Sequence, residues 1–145
     1  MSKIIGIDLG TTYSAIAQLD DLGTPEVLAS TDNNKKITAS SVYIKDQNVI
    51  VGDKALDALE TAPKQVITET KRQMENDVVY SVDEGKWVEK DEKNKDYYSP
   101  AQISSFILSK LQGYAADVKK AVITVPALFA EKARVATLDA AKMAG

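Results

Sequence analysis

A carboxylate set inside an apolar strand, two residues before a glycine, constrains this chain more than any other feature. The stretch IIGIDLGTTYSAIA lies within Lys3 to Leu19. Ile4, Ile5, Ile7 and Leu9 suit a pleated strand, because β-branched side chains pack well on that surface. Gly10-Thr11-Thr12 is a short break. Strand character resumes from Tyr13 to Leu19, with Tyr13, Ala15, Ala17 and Leu19 sharing one face by period-2 alternation. The segment therefore reads as a β-hairpin with Asp8 near its tip. The plain alternative is an ordinary hairpin, since Asp and Gly are common at turns. Two features favour chemistry instead. Asp8 sits within the apolar strand and not at the turn centre, and two threonines occupy a turn where they do little for stability.

The residue types at this spacing suit a phosphorylated ligand. Asp8 can hold Mg²⁺ through water, because that ion keeps several waters when phosphates supply other ligands. Gly10 has no Cβ to hold a phosphate away from the backbone. The amides of Thr11, Thr12 and Tyr13 can converge as an anion nest, and the Thr11 and Thr12 hydroxyls add donors. Gly6 is expected to allow tight packing within the sheet. The segment lacks the G-x-x-x-x-G-K-[ST] pattern of a Walker loop, and a strand follows its glycine where a dinucleotide fingerprint has a helix.

Composition narrows the chemistry. The 145 residues are one domain's worth, with 44% hydrophobic and 27% charged residues, a globular balance. The net charge of -3 argues against a nucleic-acid partner. With no cysteine and no histidine, disulfides, Cys/His zinc sites and His-dependent nucleophilic triads are excluded. No apolar run approaches the roughly 18 residues of a membrane helix. The N-terminus carries no secretory h-region. A soluble cytoplasmic location and no membrane partner are the expectation.

Further along, Glu26 to Ala29 is expected to add a third strand to an antiparallel meander. Ser41 to Ile44 and Asn48 to Val51 flank Lys45-Asp46-Gln47 as a hairpin. Asp53 to Thr61 reads as a short helix with Leu56 and Leu59 inward. Pro63 to Glu75 reads as a second helix with Val66, Ile67, Thr70 and Met74 on one stripe, Pro63 being placed at its first turn. Val78 to Tyr98 suggests short strands, and the charged run Glu89 to Asp96 a solvated turn. Ser99, Pro100 and Gln102 form a helix start with a capping box. Ile103, Phe106, Ile107, Leu111 and Tyr114 would then share a face. Lys119 to Val125 reads as a buried strand stopped by Pro126. Ala130 to Ala144 reads as a last helix, with Ala133, Ala136, Leu138, Ala140 and Met143 available for packing and Gly145 at its C′ position.

Three stretches resemble the N-terminal part of the ATPase domain of the 70-kilodalton heat-shock, DnaK-like chaperones. They are IIGIDLGTTYSAIA, the pair Lys71-Arg72, and AVITVPALFAEKARVATLDAAKMAG, which is similar to that family's VITVPAYF block. The resemblance implies an α/β, ribonuclease-H-like and actin-like ATPase half-domain, a mixed sheet with flanking helices and an inserted α+β subdomain. Residues 1–38 and 98–145 would form the lower subdomain of one lobe and 39–97 the upper. It implies ATP or ADP and Mg²⁺ as cofactors, with Asp8 near the metal and Gly10, Thr11, Thr12 and Tyr13 around the β- and γ-phosphates. Lys71 would be catalytic, reaching the γ-phosphate and the attacking water, in keeping with the positioning and charge neutralisation that phosphoryl transfer requires. Taken alone, Lys71 is an ordinary exposed helix lysine. Pro126 and Arg134 match positions of allosteric coupling in the family, and read equally well as a strand-ending proline and a surface arginine. In a full-length parent the partners implied are unfolded client proteins, a J-domain co-chaperone and a nucleotide-exchange factor.

Departures from the family pattern are specific. Tyr13 replaces an asparagine, Ala39 a proline and Leu128 an aromatic, and Gln73-Met74-Glu75 differs from the usual apolar-glycine ending. The seven glycines include no adjacent pair, so the second phosphate loop of a two-lobed clamp is absent from the sequence. The resemblance therefore implies a half-site, with weak or no nucleotide binding by this chain alone. Two other readings stand beside it: an interaction or self-associating module built on the lobe's open sheet edge, and a sugar- or acetate-kinase relative, against which the VITVPALF block speaks.

Overall fold

The computed structural model describes residues 3–91 and 96–145. Strands β1 (Lys3–Asp8), β2 (Tyr13–Leu19) and β3 (Pro25–Val27) form the expected meander. β4 (Thr38–Ala39) pairs with the start of β2. Then follow β5 (Val42–Lys45), β6 (Asn48–Val51), α1 (Asp53–Asp57), β7 (Val66–Ile67), β8 (Val78–Ser81), β9 (Lys86–Glu89), β10 (Tyr97–Tyr98), α2 (Pro100–Gln112), β11 (Val118–Thr124) and α3 (Glu131–Ala144). The main sheet runs β11-β1-β2-β3, with β11 parallel to β1. Two three-stranded sheets, β6-β5-β7 and β10-β8-β9, lie in the middle of the chain. The architecture is mixed α/β. Among the described residues no helix is long and apolar enough to cross a membrane.

The centre of the molecule is α2. Ser99 Oγ accepts from the Gln102 amide at 3.1 Å, and Gln102 Oε1 accepts from the Ser99 amide at 2.8 Å, so the expected capping box is formed. Ile103, Ile107, Leu108 and Leu111 are buried in one cluster with Ile5, Ile7 and Ile16 of the main sheet. Val42, Ile44 and Ile67 of the second sheet and Tyr80 of the third join the same cluster. One helix thus supplies the surface on which all three sheets rest. Lys110 on its last turn grips Asp32 at 2.8 Å, and that hydrogen bond holds the Asp32 carboxyl below the usual aspartate range.

Several local expectations change. Pro63 to Glu75 is not a helix. Pro63–Gln65 is a 3-10 turn, Val66 and Ile67 pair with β5, Glu69 takes a left-handed conformation at φ 55°, and Thr70–Gln73 is a second 3-10 turn. The stripe Val66, Ile67, Thr70 and Met74 is nonetheless buried. The open edge of β5 recruits two β-branched residues, a tertiary gain that overrides local periodicity. The helix at Asp53 is shorter than expected, continues as a 3-10 turn over Ala58–Glu60, and buries Ala55 while Leu59 stays exposed. β11 is not buried: it pairs with β1 alone, Val122 is 63% exposed, and its outer edge is unpaired among the described residues. Its apolar run reads as a strand covered on both faces, yet the covering is missing on one side. On α3, Ala133 and Ala140 are buried while Leu138 and Met143 are exposed.

Other expectations hold. Asp46 and Gln47, both at positive φ, form the two-residue turn between β5 and β6. The short strands between Val78 and Tyr98 are present, although the middle of the charged run from Glu89 to Asp96 lies outside the described residues. Gly145 closes α3 at φ 89°.

The core and the cap should separate in magnitude. Ile107→Ala is expected to destabilise the chain by about 2–5 kcal/mol, and Ser99→Ala by about 1 kcal/mol. Urea unfolding of the two variants checks the order.

Candidate functional site

The connection after β1 is held from beneath. β1 alternates Ile5 and Ile7 inward with Ile4, Gly6 and Asp8 outward, and Leu9, just past its end, is buried as well. On β2 the inward residues are Ser14 and Ile16, while Tyr13 and Leu19 lie on the outer face. Ser14 Oγ accepts from the Gly10 amide at 3.2 Å and shares a 2.7 Å hydrogen bond with Ser40 Oγ. The Ser40 amide in turn donates to the Thr12 carbonyl at 2.8 Å. The two buried serines therefore fix both ends of the Gly10–Thr12 turn, the Gly10 end through the Ser14 hydroxyl and the Thr12 end through the Ser40 amide. Neither serine stood out in the sequence. The available signal was a serine at an inward position of an otherwise apolar strand.

Gly10 is required by this turn itself. A Cβ at that position would run into the Tyr13 carbonyl oxygen. Gly6 is different: a Cβ there would meet nothing within 4 Å. The expected close packing at Gly6 is therefore absent, because its side of β1 is the open face of the sheet.

The amides of Thr11 and Thr12 donate to no group among the described residues. Thr12 is exposed, and Tyr13 presents its ring on the outer face, 46% exposed. Asp8 is exposed at the end of β1, and one of its oxygens accepts from Thr124 Oγ1 at 3.3 Å. Among the described residues no three Asp or Glu side chains cluster to hold a metal. A single exposed carboxylate beside free amides fits Mg²⁺ held mainly by water and phosphate, and fits no metal held by protein ligands alone.

Lys71 comes to the same place from 62 residues away, its ammonium donating to the Leu9 carbonyl at 2.7 Å. The same Nζ lies 5.8 Å from the centre of the Phe129 ring. Phe129 is placed by a turn in which its amide donates to the Pro126 carbonyl at 3.0 Å. Pro126 thus sits at the base of a turn that touches the lysine, a contact no single motif announced. Arg134 does not join this group. It is exposed on the first turn of α3, beside a groove between that helix and β11. The structure therefore brings together Asp8, Gly10, Thr11, Thr12, Tyr13 and Lys71, with Pro126 reaching them through Phe129.

A strand-ending carboxylate, unclaimed amides, hydroxyls and one ammonium thus stand around a tight glycine turn. The Hsp70 protein family model matches residues 4–145. The chain is 44% identical to a chaperone protein DnaK of Mycoplasmopsis agalactiae over 98% of its length and 42% identical to one of Mycoplasma mobile over 99%. It spans 22% of the length of each of these relatives. This chain belongs to the Hsp70 family.

Gly10→Ala is expected to open the turn. Amide chemical shifts of Thr11 to Ser14 should move well beyond those of the remote sheets, and the unfolding midpoint should fall.

Proposed function

We propose that this chain is the N-terminal part of the ATPase domain of a DnaK-like chaperone and carries one half of its ATP site. The observation that supports this most directly is the Lys71 ammonium on the Leu9 carbonyl, 2.7 Å away. It puts the sole cation expected to act on the γ-phosphate against the turn expected to hold that phosphate. In this reading the Thr11, Thr12 and Tyr13 amides and the two threonine hydroxyls bind β- and γ-phosphate oxygens. Gly10 keeps the turn narrow. Asp8 orients waters of the magnesium that accompanies the nucleotide. Lys71 leaves its carbonyl to neutralise charge on the γ-phosphoryl group and orient the attacking water. A preorganised donor of that kind contributes on the order of 3 kcal/mol to the barrier.

The reading extends to organisation. Residues 1–38 and 98–145 form the lower subdomain of a ribonuclease-H-like, actin-like lobe, and residues 39–97 an inserted upper subdomain that delivers Lys71. The Pro126 turn, through Phe129, relays the state of Lys71 to the rest of a full-length chaperone, and Arg134 takes part from the α3 face. In that parent, located in the cytoplasm, ATP hydrolysis drives the folding of client proteins with a J-domain co-chaperone and an exchange factor. The isolated chain lacks the opposing phosphate loop and is expected to bind nucleotide weakly and not to turn it over.

Calorimetry and steady-state hydrolysis with Mg-ATP, together with amide spectra at high Mg-ADP, test this. Little heat, no turnover, and shifts centred on Gly10 to Tyr13 and Lys71 are expected. Tight binding with turnover that Lys71→Ala abolishes would defeat the half-site reading. Shifts that spare the turn would defeat the phosphate reading.

A second reading rests on β11. Its outer edge is unpaired among the described residues, and a groove of about 470 Å³ runs beside it, floored by Val118, Ala121, Ile123, Leu138 and Ala141. Unpaired edges template further strands, so this face suits self-association. Sedimentation over a wide concentration range decides: dimers that grow with concentration support it, and a monomer throughout removes it.

A further inference from the structure

Thr70 carries a hydroxyl that the phosphate-site reading does not use. The residue is 3% exposed, and its Oγ1 finds no hydrogen-bond partner among the described residues. Buried polar atoms are nearly always paired with protein or with ordered water. Valine has the same shape and would sit there without this difficulty, so the hydroxyl calls for a partner.

The surroundings supply one. Thr70 lines a small cavity of about 10 Å³ together with Gly10, Thr11, Ser40, Lys71 and Ser104 and the apolar Leu9 and Ile107. That volume is about the least that accommodates one water and leaves no room for a second. Ser40 and Ser104 bring to its walls hydroxyls with capacity to spare. Ser40 shares one hydrogen bond with Ser14 and keeps further capacity; Ser104 gives its proton to Met74 Sδ at 3.4 Å and keeps its lone pairs. The Lys71 side chain on the same wall disfavours a cation, and the size excludes an oxyanion.

We propose that this cavity is an internal water site, in which a single water joins Thr70 to Ser40 and Ser104. The water would complete a hydroxyl chain from the Gly10 amide through Ser14 and Ser40 to Thr70. Lys71 follows Thr70 directly, so the chain fixes the lysine's backbone relative to the turn its ammonium touches. The site stands on the cavity and the hydroxyls alone, whatever the turn binds. Thr70 is in this sense a positioning residue.

Thr70→Val removes the hydroxyl and keeps the shape. A high-resolution crystal structure of the chain should show a solvent peak within hydrogen-bond distance of Thr70 Oγ1 and Ser40 Oγ, and Thr70→Val should abolish that peak. The variant's thermal midpoint should fall by about 3 °C, the shift that losing one net hydrogen bond produces in a domain of this size. A dry cavity in the unaltered chain overturns the proposal. So does a Thr70→Val midpoint that is unchanged or higher, since deleting an unpaired buried hydroxyl relieves a penalty.

Discussion

The burial of α2 is the constraint on which the remainder of this structure depends. Ile103, Ile107 and Leu111 face the main sheet and the two smaller sheets at once. The smaller sheets are three short strands each, a size that is marginal without a packed face. The capping box at Ser99 and Gln102 sets where the helix begins, and Lys110 ties its far end to Asp32. With α2 fixed, β1 is fixed above it, and the turn that ends β1 has a defined place.

That turn is then held by polar contacts of long sequence reach. Ser14 and Ser40 lie 26 residues apart and meet beneath Gly10, while Lys71 arrives from 62 residues away. The middle of the chain therefore acts on the turn in two ways, through the Ser40 hydroxyl below and through the Lys71 ammonium on the Leu9 carbonyl. The left-handed residue Glu69 lets the chain leave the β5 edge and re-enter as the 3-10 turn that carries Lys71. Such a conformation is uncommon for a non-glycine residue and is retained here where the route of the chain requires it.

Family membership fits this arrangement. The family model matches residues 4–145, while the relatives are several times longer than the chain. Among the described residues the outer edge of β11 is unpaired, with Val122 exposed on one face of the sheet and Leu138 exposed on the helix beside the other. An interaction module and a half of a larger nucleotide clamp would both leave such an edge open.

The sequence by itself determined the hairpin, the capped helix and the identity of the residues at the turn. These follow from short-range rules: alternation, a glycine forced by its own turn, and a capping box within four residues. Tertiary structure decided the rest. Val66 and Ile67 became a strand because β5 offered an unpaired edge, which no local pattern records. β11, apolar enough to read as buried, lies exposed because its cover depends on what packs beside it. Lys71 looks like any surface lysine until the fold sets it on the Leu9 carbonyl. The serines beneath Gly10 gain meaning only as a pair. In each case the deciding contact joins residues far apart in the chain, and its energy is set by packing and hydrogen bonding that local sequence does not contain.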